Sequence, residues 1–173
     1  NVKLKSSRGL IANGNKINFS TKEENILVFG KNSSLIYGDI NMYSDEIIKV
    51  NNITGKFYLK GPKSELKTDS VQIFGNIIDG MYLNIEGINE VQTLYVEDKT
   101  LSNIITETMN MFALKGVYNK KDNIIELFDN VKVIRGEEII TGDYANVDTL
   151  NDSYKIKSKN KKKVKALIIN TDE

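Results

Sequence analysis

The sequence contains no histidine, no cysteine and no tryptophan, and it has only one proline. Without histidine or cysteine the chain cannot form a Ser-His-Asp or Cys-His nucleophile system, a zinc site with thiolate or imidazole ligands, or a redox-active dithiol. The chemistries that remain are a pair of carboxylates, a lysine or tyrosine base, or a cation site made of oxygen ligands. We find no grouping of residues typical of these sites, and we predict a protein that is not an enzyme and binds no metal or cofactor.

Long apolar runs and an excess of one charge are absent as well. No run of about 18 apolar residues occurs, so the sequence predicts no membrane-spanning helix. Lys and Arg number 24 and Asp and Glu number 23, which gives a formal net charge of +1. The overall charge therefore does not favour nucleic acid as a partner. A length of 173 residues suits one domain with a hydrophobic core, and we predict a single domain over 1–173.

Many short segments rich in Val, Ile, Tyr and Phe end at Gly, Asn or Asp. This pattern is typical of strands joined by tight turns, and it predicts an all-β protein. We predict strands at 25–30, 34–44, 55–61, 69–75, 80–87, 91–97, 110–118, 123–128, 131–135, 138–148 and 163–169.

The segment 98–112 fits two interpretations. Leu101, Ile104, Ile105 and Phe112 recur at helical spacing, which favours a helix. Thr, Ile and Asn are poor helix formers, however, and "ITETMNMFALKG" also reads as a strand with Met109, Met111 and Ala113 on one face. The all-β surroundings favour the strand.

A Gly-Asp pair recurs in two similar segments, "LIYGDINMYSDE" at 35–46 and "IITGDYANVDTLND" at 139–152. We interpret Gly142 before Asp143 as a bulge or a close backbone approach that bends a long strand. Gly136 and Glu137 are expected to reverse the chain between two strands. Bent hairpins of this kind stack into a two-layer sheet or a jelly roll whose interior receives every second residue.

The C-terminal half resembles the OstA-like proteins of the lipopolysaccharide transport system, LptA and its relative LptC. The residues that carry the resemblance are "ALKGVYNKKDNIIELFDNVKVIRGEEIITGDYANVD" at 113–148 and "VKALII" at 164–169, with weaker echoes at 35–74. The pattern is an apolar pair, "DNV" with alternating apolar residues, a short turn, "ITGD", an aromatic residue and a closing Asp. Asp129 stands where the family usually has Gly, which indicates a different turn.

The resemblance implies a slightly open, V-shaped jelly roll of many antiparallel strands, often called a β-taco. It also implies that acyl chains of lipopolysaccharide lie in an apolar trough and pass along a head-to-tail bridge toward the outer membrane. The implied partners are lipopolysaccharide or lipid A, and other Lpt components or copies of the chain joined by edge strands. The implied location is the periplasm, either free or held at the inner membrane by an anchor upstream of Asn1.

Two sets of residues are candidates for lipid contact. Groove candidates are the alternating apolar residues Phe57, Leu59, Val71, Ile73, Leu83, Ile85, Met111, Leu127, Val131 and Val133. Lys161, Lys162 and Lys163 are candidates for head-group phosphates, within a segment 155–173 that we interpret as a basic C-terminal edge strand and tail. The apolar residues would equally fill the core of any β-sandwich, and the lysines would equally protect an edge strand. The alternative function is therefore a structural, adhesive or carbohydrate-binding module with a closed core.

Overall fold

The computed structural model describes residues 1–7, 9–159 and 164–168, which form fifteen antiparallel strands. No helix occurs within these residues, and so none is long and apolar enough to cross a membrane. The strands are β1 Val2–Lys5, β2 Ile11–Gly14, β3 Lys16–Ser20, β4 Asn25–Phe29, β5 Ser33–Tyr37, β6 Ile40–Ser44, β7 Ile47–Asn51, β8 Lys56–Lys67, β9 Val71–Ile85, β10 Ile88–Thr106, β11 Asn110–Asn119, β12 Ile124–Arg135, β13 Glu138–Asp148, β14 Ser153–Lys157 and β15 Lys165–Ile168.

The six strands from β8 to β13 are long, and each contributes to two layers. Layer 1 consists of β3, β4, β7 and β14 with the segments 56–60, 77–85, 88–97, 115–119, 124–128 and 144–148. Layer 2 consists of β1, β2, β5, β6 and β15 with the segments 64–67, 71–75, 102–106, 110–113, 131–135 and 138–142. The chain thus forms one sheet folded along a line.

The fold line, which we call the crease, runs through bulges that interrupt the ladder at 61–63, 98–101 and 129–130. At the last of these, Asp129 and Asn130 have φ angles of 62° and 54°. Asp and Asn tolerate this left-handed conformation better than most residues with a side chain. The local sequence therefore permits the bend without glycine.

Small side chains near the crease let the two layers meet. Gly116 and Ala145 face inward from layer 1, and Ser102 and Ala113 are buried in layer 2. A Cβ atom on Gly116 would lie 2.9 Å from the Cδ1 atom of Ile104 in the opposite layer. These small residues alternate with larger ones such as Leu127, which pairs with both Gly116 and Ala145, and a single hydrophobic core spans both layers.

The structure confirms most predicted strands and corrects the bounds of several. The predicted single strand at 34–44 is wrong, because Tyr37 pairs with Ile40 and Gly38 turns the chain with a φ of 59°. The strands predicted separately at 69–75 and 80–87 form one continuous bulged strand, β9. Those predicted at 123–128 and 131–135 likewise form one strand, β12. The preference for strand over helix at 98–112 is confirmed, but the single strand "ITETMNMFALKG" is wrong, because the chain turns at 107–109 between β10 and β11. Met109 lies in this turn, Met111 and Ala113 lie in β11, and all three are buried. The strands β1, β2, β3, β7 and β14 were not predicted.

Candidate functional site

The principal cavity lies between the two layers at the side opposite the crease and has a volume of about 840 Å³. Its lining residues come from both layers, and the turns between long strands form its rim. A volume of this size falls in the range of small-molecule binding sites, about 300–1,000 Å³.

The wall in layer 1 is a row of apolar and aromatic residues on four neighbouring strands. Leu94 pairs with Tyr118, Tyr118 with Ile125, and Ile125 with Val147. Residues directly opposite across a ladder point to the same face of a sheet, so all four line the cavity together. Tyr118 is half-buried, and burial raises the pKa of its phenol. The charge of Lys120 lowers this pKa and that of Glu90 raises it, both by less than burial does. Tyr118 therefore remains neutral at physiological pH.

The wall in layer 2 is built in the same way. Ile73, Ile104 and Met111 form a row across β9, β10 and β11, and all three are fully buried. Val71 pairs with Thr106 one step nearer the rim, and Met109 follows in the turn. The unbranched thioether side chains of the two methionines can adapt to ligands of different shape.

The rim is acidic. Six carboxylates border the cavity, whereas Lys120 is the one basic residue among the described lining residues. The ammonium of Lys120 lies 2.8 Å from Oε1 of Glu90 and, together with a hydrogen bond from Gln92, holds the pKa of that carboxyl below its usual value. The carboxylates are those of Asp39, Asp69, Glu86, Glu90, Glu107 and Asp152.

Two groups of hydrogen bonds join the tips of the two layers across the rim. Toward the N-terminal strands, the backbone N–H of Asn89 donates to Oδ1 of Asp39 at 3.2 Å, and its side-chain Nδ2 donates to the carbonyl of Tyr37 at 3.1 Å. Asn89 is 4 % exposed, and Asn84 donates to its Oδ1 atom. We call this contact the Asn89 bridge.

On the other side, Asp152 of layer 1 meets two residues of layer 2. Arg135 Nη1 donates to the carbonyl of Asp152 at 2.9 Å, and Thr108 Oγ1 donates to its Oδ1 atom at 2.7 Å. Tyr154, also in layer 1, donates to Oε2 of Glu138 at 2.8 Å, and Arg135 pairs with the same oxygen at 2.9 Å. The Tyr154 hydroxyl and then Arg135 hold the pKa of Glu138 below its usual value. We call this contact the Asp152 bridge, and the opening between the two bridges the window.

Four of the ten groove candidates line the cavity, namely Val71, Ile73, Ile85 and Met111. Five others are buried in the core without lining it, and one, Leu83, is exposed on the surface. The five are Phe57, Leu59, Leu127, Val131 and Val133, of which Val131 also borders a shallow depression beside the crease. Lys161, Lys162 and Lys163 lie outside the described residues.

Sequence reasoning missed most of the cavity walls. Val147 occurs in a predicted strand between Asn146 and Asp148, so its inward direction was available from the sequence, whereas Ile125 follows Ile124 and alternation does not decide which of the two faces inward. Ile104 lies in the segment whose type was ambiguous. The missing information was the position along each strand, because the distance from the crease decides whether an inward-facing residue lies in the closed core or on the cavity wall.

Within the described residues, no group of three or more acidic side chains is placed to hold a metal ion. The arrangement can instead bury an apolar ligand between two apolar walls and leave a polar part of it at the window.

The sequence matches no protein-family model and has no significant match among curated proteins. The structure is similar to that of LptH from Pseudomonas aeruginosa, described as the LptA homologous periplasmic component of the conserved lipopolysaccharide transport device. The match has a TM-score of 0.60 and 13 % sequence identity, and it covers 77 % of this chain and 99 % of that chain. At this identity the likeness is one of fold, and it confirms the open β-taco jelly roll implied by the resemblance.

Proposed function

We propose that this protein is a non-enzymatic periplasmic component of a lipopolysaccharide transport system. It binds lipopolysaccharide by taking acyl chains into the cavity, while the sugars remain outside the window. The observation that carries the proposal is the apolar cavity between the layers of an unclosed, LptA-like sheet.

Burial of acyl chains supplies the binding free energy. Each methylene removed from water contributes about 0.8 kcal/mol. An acyl chain between the layers has apolar contacts on both sides. One side is the row of Leu94, Tyr118, Ile125 and Val147, and the other is the row of Ile73, Ile104 and Met111. No catalytic group is required for this task.

Transfer along a bridge requires contact with neighbours, and the sheet has free edges at both ends. β1 and β3 end the two layers at one side, and β15 and β14 end them at the other. Within the part of the chain that the structure describes, each of these strands pairs with a single neighbour and exposes backbone hydrogen-bonding groups that can pair with another sheet. We propose that copies of the chain or other Lpt components join at these edges, and that the lysines at 161–163 contact phosphates of the head group.

The absence of tryptophan allows a direct test of binding in the cavity. In Tyr118→Trp the reporter lies on the wall of layer 1, and in the control Leu83→Trp it lies on the exposed surface. Titration with lipopolysaccharide should shift the emission of Trp at 118 to shorter wavelength in a saturable manner and leave that of Trp at 83 unchanged.

Two outcomes would contradict the proposal. If both folded variants show no change up to high lipid concentration, the cavity does not bind lipopolysaccharide. If de-acylated lipopolysaccharide produces the same shift as the intact lipid, the protein recognises carbohydrate, as in the alternative of a sugar-binding module.

A further inference from the structure

The cavity does not continue to the C-terminal edge of the sheet. The wall rows do continue, because Val147 pairs with Tyr154 in layer 1 and Met111 pairs with Val133, which in turn pairs with Ile140, in layer 2. None of Tyr154, Val133 and Ile140 lines the cavity. The Asp152 bridge joins the layers at this point, between the window and the edge formed by β14 and β15.

The N-terminal side is closed more firmly. β2 of layer 2 packs directly on β4 of layer 1, where a Cβ atom on Gly14 would lie 2.5 Å from Cγ1 of Val28. Asn89 is buried and its partners Asp39 and Tyr37 are half-buried, so water reaches these hydrogen bonds less easily when the layers begin to separate.

The Asp152 bridge is exposed by comparison. The side chains of Arg135 and Glu138 are 36 % and 37 % exposed, and Thr108 and Asp152 lie in exposed turns. Water can replace each of these hydrogen bonds, and ion pairs exposed to solvent add little stability. The two bridges therefore differ in the free energy needed to open them, and the Asp152 bridge opens first.

We infer that the Asp152 bridge is a gate: the layers separate at Arg135, Thr108 and Asp152 to let a lipid pass between the cavity and the β14–β15 edge, while the Asn89 bridge stays closed. The inference rests on the proposed lipid-binding function. A ligand whose sugars project from the window cannot move along the cavity while the tips of the layers remain joined ahead of it. Opening at this bridge removes the obstacle and leaves the core near the crease intact.

The absence of cysteine makes the gate accessible to reversible crosslinking. Thr108→Cys and Asp152→Cys are combined in one chain, loaded with fluorescent lipopolysaccharide and joined with a short bis-methanethiosulfonate reagent. Release of the label into excess unlabelled lipopolysaccharide should slow at least tenfold after crosslinking and recover after reduction. Each single-cysteine variant treated with the same reagent serves as the control for chemical modification.

Arg135→Ala provides the opposite perturbation without any reagent. Loss of the guanidinium removes its bonds to Asp152 and Glu138, and release should accelerate about fivefold. Lys121→Ala, in an exposed turn of layer 1 away from the bridge, should release at the unmodified rate.

The results separate the gate from the proposed function. Failure of the uncrosslinked chain to bind lipopolysaccharide overturns the proposed function and the gate with it. Normal binding with the same release rate before and after crosslinking overturns the gate alone, because lipid would then leave through the window.

Discussion

At the scale of single residues, buried serines supply hydrogen bonds near the crease. Ser44, Ser64 and Ser102 are buried, yet each hydroxyl has a partner, and no buried side-chain polar atom among the described residues lacks one. Ser44 and Ser64 donate to the carbonyls of Lys60 and Gly61, where the first bulge interrupts the ladder. Serine hydroxyls thus replace strand-to-strand hydrogen bonds that the crease removes.

Val133→Glu is expected to unfold the protein rather than only weaken lipid binding. Val133 is 1 % exposed and lies between Met111 and Ile140, and it does not itself line the cavity, although its neighbour Met111 does. A carboxylate there would be buried without a partner, and we expect the free energy of unfolding to fall by about 4 kcal/mol or more. Chemical denaturation monitored by circular dichroism measures this change.

The matched control for this prediction is Leu83→Glu, which introduces the same group at an exposed position. We expect a change within about 0.5 kcal/mol for the control. A stable Val133→Glu protein with reduced lipid binding would instead show that the groove reaches this residue.

Tyr82 makes the stability of the fold sensitive to alkali. Burial, together with the neighbouring Tyr37 and Glu24, raises the pKa of its phenol from 10.0 to about 12. Because the unfolded chain ionises first, the stabilising effect of the neutral phenol is complete below pH 10 and is lost as the pH rises toward 12. Tyr82→Phe should therefore lose less stability than the unmodified protein between pH 10 and 12.

Thermal unfolding at a series of alkaline pH values tests this difference. The remaining tyrosines are the same in both proteins, so their ionisation cancels in the comparison. Parallel stability curves for the two proteins across this range would contradict a raised pKa at Tyr82.

At the scale of strands, the sequence predicted element type well and connectivity poorly. Alternation of apolar and polar residues identified β13 to its exact ends and the buried face of β11 at Met111 and Ala113. The two Gly-Asp pairs, however, have different structures: Gly38 has a positive φ and turns a hairpin, whereas Gly142 lies within one bulged strand. The two dipeptides are identical in sequence, so local sequence alone does not predict the difference. Gly142 also packs against Ile156 and Lys157 of β14, which is a tertiary contact.

The same limit applies to the cavity. Ile73 and Met111 were recognised as inward-facing, and so were Phe57 and Val133, but alternation reports the face of a strand and not the distance from the crease. That distance depends on where the bulges fall, and the bulge at 98–101 in β10 has no glycine or proline to mark it.

Gly142→Ala is expected to loosen strand β14. A Cβ atom at this position would lie 2.5 Å from Cγ2 of Ile156 and 2.8 Å from the carbonyl oxygen of Lys157, a backbone atom that can move only with its strand. We expect a loss of stability of about 1–3 kcal/mol and faster hydrogen exchange of the β14 amides in particular.

Gly136→Ala separates this packing effect from backbone strain. Gly136 has a φ of 54°, but no atom lies within 4 Å of its Cβ position. This variant should lose about 1 kcal/mol without selective exchange at β14. Equal protection of β14 in the two variants would show that close packing does not hold the strand.

At the scale of the whole molecule, the free edges predict self-association. Backbone groups on β1 and β3 at one end and on β14 and β15 at the other are available for pairing, so the mean mass measured by sedimentation should rise with protein concentration. Gly142→Ala should weaken the association, since it displaces an edge strand, and Gly136→Ala should not. A monomer at all concentrations would exclude head-to-tail assembly by this chain alone.

The near-zero net charge of the molecule conceals a separation of charge. Six carboxylates and one lysine of the described residues border the cavity, whereas the segment from Lys155 to Lys165 carries seven lysines and no acid. Under the proposed function the ligand has an anionic head group, which the rim would repel and the lysine-rich segment would attract. Which effect governs binding depends on where the phosphates lie.

Ionic strength distinguishes these two positions. If the phosphates remain at the window, added NaCl screens repulsion over a Debye length of about 10 Å at 0.1 M, and the affinity for lipopolysaccharide should rise by several fold between about 0.02 and 0.2 M. Replacing two rim acids, Glu86→Gln with Glu107→Gln, should raise the affinity at low salt and flatten the dependence. If the affinity instead falls with salt, and replacing Lys161, Lys162 and Lys163 by Gln removes that fall, the head group binds the lysine-rich segment and the rim charge has no part in recognition.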